Sequence, residues 1–225
     1  CRAAGRMNNP RALLDHVVVA ARSLDEGADF VETRLGVRTP RGGRHEMMGT
    51  HNRVMALGEG VYLEIIAVNP EMAPPARPRW FGLDDPSVIR GLADAPRLLT
   101  WAVNTESLEA LLASSRIVVG EVLEARRDDL RWKVALPDDG RLFAGGFFPL
   151  CIQWQMEFHP ASRMPDLGCR LKSLTLYHPY PEWLQGLLTA IGADTAVVIE
   201  GVSDPAAARL VARISTPGGE VELST

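Results

Sequence analysis

The sequence is poor in the features that assign a protein quickly. It has only three cysteines in 225 residues. Cys151 and Cys169 show neither zinc-finger nor redox spacing, and such sparse thiol usage suits a reducing cytoplasm. No apolar run approaches the roughly 20 residues of a membrane span. Basic charge does not dominate: 24 Lys and Arg against 28 Asp and Glu leave a net charge of -4. A basic face for nucleic acid is therefore not expected. There is no Gly-x-Ser-x-Gly elbow, Cys151 has no neighbouring general base, and no phosphate-binding glycine pattern occurs. Cys1 to Pro10 carries no apolar signal core. The stretch before Met7 is expected to be a vector remnant or upstream read-through, and residues 1–12 a tag or disordered lead. These absences leave a cytoplasmic small-molecule protein, with neither membrane nor nucleic acid as partner.

What is present is repetition. The order strand, helix, strand, strand, strand occurs three times, opening at Leu14-Asp15-His16-Val17-Val18-Val19, at Leu98-Leu99-Thr100-Trp101 and at Leu171-Lys172-Ser173-Leu174. Such internal repetition is read before any single residue. In the first copy Ser23 with Glu26 forms a capping box, apolar residues recur at Leu24, Ala28, Val31 and Leu35, and Gly36 is a helix stop. Gly58-Glu59-Gly60 turns a hairpin into Val61 to Ala67. A proline-rich connection spans 69–86, and its Trp80-Phe81 either covers a pocket or plugs the core. In the second copy, 118–125 and 130–136 are predicted strands, and Arg126-Arg127-Asp128-Asp129 between them a solvated turn. The expected organisation is a paired module over 13–158 and a third module over 169–225. An odd module needs a partner, so it either extends the second module's sheet or meets its counterpart in a homodimer.

The motifs Leu14-Asp15-His16-Val17-Val18, Gly49-Thr50-His51-Asn52 and Tyr62-Leu63-Glu64-Ile65-Ile66 resemble the glyoxalase-like domain subfamily of the vicinal oxygen chelate superfamily. Phe147-Phe148-Pro149, Ile152-Gln153-Trp154 and His159-Pro160 fit the same resemblance. It implies an α+β fold of βαβββ modules whose mixed sheet curls into a cup. It also implies a divalent metal in the cup, Zn, Mn, Fe or Ni, held from the first and fourth strands of each module.

Carried onto this chain, those positions are His16 and Glu64. An imidazole and a carboxylate suit such a metal and leave open positions for a substrate's oxygens. His51 would complete a two-His-one-carboxylate set if its strand face lines the cup. Without a metal, His16 and Glu64 remain an acid/base pair. Module two offers Thr100 at the matching first-strand position and Gln153 or Gln155 on its fourth strand. Gln153 and Arg53 are expected to orient a ligand and meet an anionic group, and Trp101 to form an aromatic wall. The functions implied are a lyase, isomerase or dioxygenase working through a metal-stabilised enolate. The alternative is a metal-free binder that sequesters a small molecule, as the bleomycin-resistance type does.

Overall fold

The computed structural model describes residues 11–225. Residues 1–10 of the expected lead lie outside the described residues, and Ala12 already opens a strand. The first module runs β1 (Ala12–Ala20), α1 (Leu24–Leu35), β2 (Arg41–His45), β3 (Thr50–Ala56) and β4 (Tyr62–Val68). The second follows α2 (Pro86–Asp94) and comprises β5 (Arg97–Thr105), α3 (Leu108–Ser114), β6 (Glu121–Arg127), β7 (Leu130–Leu136) and β8 (Leu150–Trp154). The last stretch contains β9 (Arg170–His178), α4 (Pro181–Ala190), β10 (Val198–Gly201), β11 (Arg209–Thr216) and β12 (Gly219–Ser224).

Local chemistry sets these limits. Ser23 caps α1 by accepting from Glu26 N at 3.3 Å, and Gly36 closes it at φ 68°, where a side chain would be strained. The other half of the capping box is absent, because the Glu26 carboxylate pairs with Arg22. Helix α2, which follows the proline-rich connection and was not expected from the sequence, starts on the same logic: Asp85 accepts from Ser87 N at 2.7 Å and Pro86 occupies the first turn.

The two modules share one eight-stranded sheet in the order β2-β3-β4-β1-β5-β8-β7-β6. Within each module the first and fourth strands are parallel, and the modules join where β1 runs antiparallel to β5. The free ends, β2 and β6, curl back into contact. A Cβ on Gly43 of β2 would lie 2.6 Å from Arg127 Cδ of β6. The sheet thus closes around a concave face. Helices α1 and α3 cover its convex face over a core that includes Val17, Val31, Leu35, Trp101 and Leu111.

The third stretch keeps the expected element order but pairs its strands differently. Its sheet reads β10-β9-β11-β12, so the crossover strand β10 lies directly beside β9. It does not extend the second module's sheet. It packs against the convex side at β5, and Leu174, Leu176 and Leu210 join the same core as Trp101 and Val103. Burial of apolar area at about 25 cal/mol per Å² holds such layers together.

Candidate active site

The concave face is organised by one irregularity in β1. Leu14 pairs with Val103 and His16 with Ala102, leaving Asp15 as an extra, unpaired residue of a β-bulge. A bulge re-aims side chains that strict alternation would send to opposite faces. Here it lets Asp15 stand behind His16, with Asp15 Oδ1 2.6 Å from His16 Nδ1. The other oxygen, Oδ2, accepts from Asn104 Nδ2 at 2.8 Å and Trp154 Nε1 at 2.7 Å, and lies 2.9 Å from His159 Nε2. Asp15 is fully buried. Burial works to raise its carboxyl, but the hydrogen bonds from His159 and His16 and their positive charge outweigh it. The group is held well below the usual carboxylate range. An ionised Asp15 only accepts, so His16 Nδ1 carries the proton in that bond.

His16 stacks on Tyr62, with ring centroids 4.6 Å apart. Its free nitrogen, Nε2, faces Glu64 Oε2 at 3.6 Å. That is too long for a hydrogen bond. Glu64 is anchored through its other oxygen, which accepts from Asn52 Nδ2 at 2.6 Å. Asn52 is fixed in turn: its Oδ1 accepts from Gly43 N at 3.0 Å and Arg127 Nη1 at 2.9 Å. Behind it His45 is buried, with Nδ1 3.1 Å from Thr50 Oγ1. Burial first, then the charges of Arg127, His16 and His51, push its imidazole down to about 3. His45 is therefore neutral at physiological pH.

The second module supplies an apolar wall of Leu130, Trp132, Leu150, Ile152 and Trp154, and the proline-rich connection adds the buried Trp80 and Phe81 to the lining. Pro160 and Met164 close the remaining side. Covered in this way, the cup retains a cavity of about 30 Å³. That is close to the share of one water molecule in the liquid.

The sequence profile of the glyoxalase-like domain matches residues 14–192. The chain belongs to the glyoxalase-like domain family. With it comes membership of the vicinal oxygen chelate superfamily. No curated protein matches the chain. Among solved structures, a hypothetical protein from Staphylococcus aureus aligns with a TM-score of 0.58 at 12% identity, over 95% of this chain and 84% of that one. Methylmalonyl-CoA epimerase from Mycobacterium tuberculosis is 23% identical over 63% of this chain and 85% of its own, with a TM-score of 0.38. A mutant 4-hydroxymandelate synthase from Streptomyces coelicolor is 14% identical over 96% and 63%, with a TM-score of 0.47. The first of these likenesses bears on the fold, and on the fold alone.

This glyoxalase-like domain does not present the donor set that the implied metal needs. Among the described residues no three His, Cys, Asp or Glu side chains converge on one point. His16 Nε2 and Glu64 Oε2 give two donors, below the three protein ligands usual at a catalytic zinc. The matching strand of module two contributes Leu150 and Ile152, and the Arg127 guanidinium faces the same cavity.

Of the residues singled out by sequence, His16 and Glu64 meet in the cup. His51 does not join them. Strand β3 directs Asn52 inward, so alternation sends His51 and Arg53 to the convex side. There Arg53 donates to Thr39 O at 3.2 Å and lies 3.6 Å from Asp25. Gln153 also points outward, accepting from Leu108 N and donating to Glu106 O, each at 3.0 Å, which ties down the start of α3. Trp101 is fully buried in the convex core with its Nε1 on Phe147 O at 3.1 Å. Thr100 spends its hydroxyl on Gly146 O at 3.0 Å. Cys151 lies on that side too, where burial pushes its thiol up to about 12. The sequence reading missed Asp15, Asn52, His45 and Arg127. One signal for Arg127 was available: Leu123 and Ala125 pack on the concave side, and period-two alternation carries that face to Arg127.

Proposed function

We propose that the cup binds a small organic molecule and moves a proton on it, with Glu64 and His16 as the acid/base pair and no metal. The observation that carries this reading is the alignment Asp15–His16–Glu64. Asp15 fixes the proton of Nδ1 and so the orientation of the ring. Nε2 and Glu64 Oε2 stand 3.6 Å apart and neither satisfies the other. Both therefore keep their capacity for a ligand, within the looser distances usual before a substrate binds.

The chemistry that fits is abstraction of a proton next to a carbonyl. Glu64 takes the proton from carbon, and the electron pair moves onto the carbonyl oxygen. The imidazolium form of His16, flanked by two carboxylates, gives its Nε2 proton to that oxygen. Glu64 then returns its proton to the same carbon while His16 Nε2 takes back the proton on oxygen, which restores the carbonyl and both side chains and needs no oxidant. The cavity of about 30 Å³ is too small for an organic ligand, so Trp80 and Phe81 must shift to admit one and return over it to keep bulk water away from the enolate. The apolar far wall favours a second reading, in which the cup sequesters a ligand and performs no reaction. It contains no polar side chain positioned to act on a substrate.

The two readings separate in deuterium oxide. Chelator-treated protein is incubated with small aryl ketones and 2-oxo acids, and loss of their carbon-bound protons is followed by NMR. Accelerated exchange with wild type, lost in Glu64→Gln while binding persists, supports the enzyme. Binding without exchange in wild type overturns it in favour of sequestration.

A further inference from the structure

Apart from the His16–Glu64 pair, the cup contains donors whose demand is unmet. Arg127 ends β6 at a tight turn in which Asp128 has φ 54°. Its side chain is 12% exposed and is laid over Gly43 into the cavity. One nitrogen donates to Asn52 Oδ1, an uncharged amide oxygen. Its Nε is buried without a partner. The nearest carboxylate there is Asp128, 77% exposed, with an oxygen 4.0 Å from Nε. A buried guanidinium normally has a close counter-charge.

Trp80 shows the same lack from the other side. It is 4% exposed, lines the same cavity, and its Nε1 is buried without a partner. Its ring meets His45 edge-on at 4.9 Å. His45, held neutral, adds no competing positive charge. Both orphan groups are donors, and orphaned buried donors are costly to leave unmade. Glu64 lines the same cavity, but its Oε1 is spent on Asn52 and its Oε2 faces His16, so what these two donors lack is an acceptor of their own, and beside a guanidinium with no carboxylate closer than 4.0 Å the acceptor that fits is an anion.

We infer that the ligand of this cup is a small organic anion with an aromatic or other apolar body. Its carboxylate, or an equivalent planar oxyanion, is received by Arg127 Nε and Trp80 Nε1. Its body lies against Trp132 and Trp154, whose rings are 5.4 Å apart on the second module's wall. The inference rests on the cup being the binding site proposed above. It does not depend on the proton step.

Benzoate and benzamide have the same shape and differ in charge, so they are the probes. Their affinities are measured by calorimetry and by tryptophan fluorescence on chelator-treated protein at low and high salt. Benzoate is expected to bind about tenfold tighter or better, the usual gain from a charge-assisted hydrogen bond. The preference is expected to vanish in Arg127→Met, to persist in part in Arg127→Lys, and to fall several-fold in Trp80→Phe, which keeps the ring and removes the N–H. Equal affinity for the two probes, failure of benzoate to bind, or a preference that survives Arg127→Met overturns the inference. Anion preference without proton exchange would retire the proton-transfer reading alone. Exchange on neutral ketones without anion preference would retire this inference alone.

Discussion

Asp15 Oδ2 and His159 Nε2 lie 2.9 Å apart although 144 positions separate them in the chain. The contact ties the connection after β8 to the bulge in β1, behind the His16 ring. Asp15 is thus both a structural anchor and the group that orients His16.

Replacing Asp15 by Asn keeps the size and removes the charge. Four donors that converge on the carboxylate, from His16, Asn104, Trp154 and His159, then face an amide with one oxygen. Breaking a buried charged network of this kind is expected to cost about 3–5 kcal/mol. Urea denaturation measures it. Because the folded carboxyl is held below its unfolded value, the stability it confers is complete above the unfolded value near 3.8 and is lost as pH falls through the folded one. Asp15→Asn should remove that acid-range dependence.

His45 adds a second acid-sensitive contribution at higher pH. Its folded value of about 3 lies below the ordinary imidazole value of 6.5, so between these limits the unfolded chain binds more protons. Stability therefore falls as pH drops from 6.5 towards 3, by an amount on the order of a few kcal/mol. His45→Gln is expected to flatten this slope in denaturation curves taken on either side of the window. An unchanged slope would place the acid sensitivity elsewhere.

Gly42 controls Asn52 and through it Glu64. A Cβ at Gly42 would come within 2.3 Å of both Asn52 O and Asn52 Oδ1. Since backbone is among the atoms met, a side chain there forces β2 and β3 apart. Gly42→Ala is expected to lower stability by about 1–3 kcal/mol, as overpacking does, and to release the Glu64 anchor. Thermal denaturation and the deuterium-exchange assay read the two effects separately.

The outward residues give the converse prediction. Gln153→Ala removes the acceptor at the start of α3 and is expected to cost about 1 kcal/mol, as loss of a helix cap does. Arg53→Ala breaks a contact to an exposed Asp25 and a backbone carbonyl. Neither should change ligand affinity or exchange rate. A loss of affinity at equal stability would return them to the site.

Much of the fold was legible because its signals are local and periodic. Ser23 and Gly36 bracket α1, and the glycine turn at 58–60 separates β3 from β4. His16 and Glu64 were legible through the repeat, since first and fourth strands lie side by side. The remaining site residues depend on which face each strand turns inward, and a one-residue difference reverses it. On β3 that difference selects Asn52 over His51, and on β8 it selects Ile152 and Trp154 over Gln153. The bulge at Asp15 defeats alternation altogether, and Arg127 was hidden in a charge run whose next two members are indeed exposed.

In the proposed site, Asp15 holds the proton on His16 Nδ1 so that Nε2 and Glu64 work on a ligand together. Nitrogen NMR of the His16 imidazole in chelator-treated protein at neutral pH tests it directly. A protonated Nδ1 is expected, with an Nε2 resonance that moves both on Glu64→Gln and on addition of benzoate. A bare Nδ1 with the proton on Nε2, or an Nε2 resonance indifferent to both changes, would contradict it.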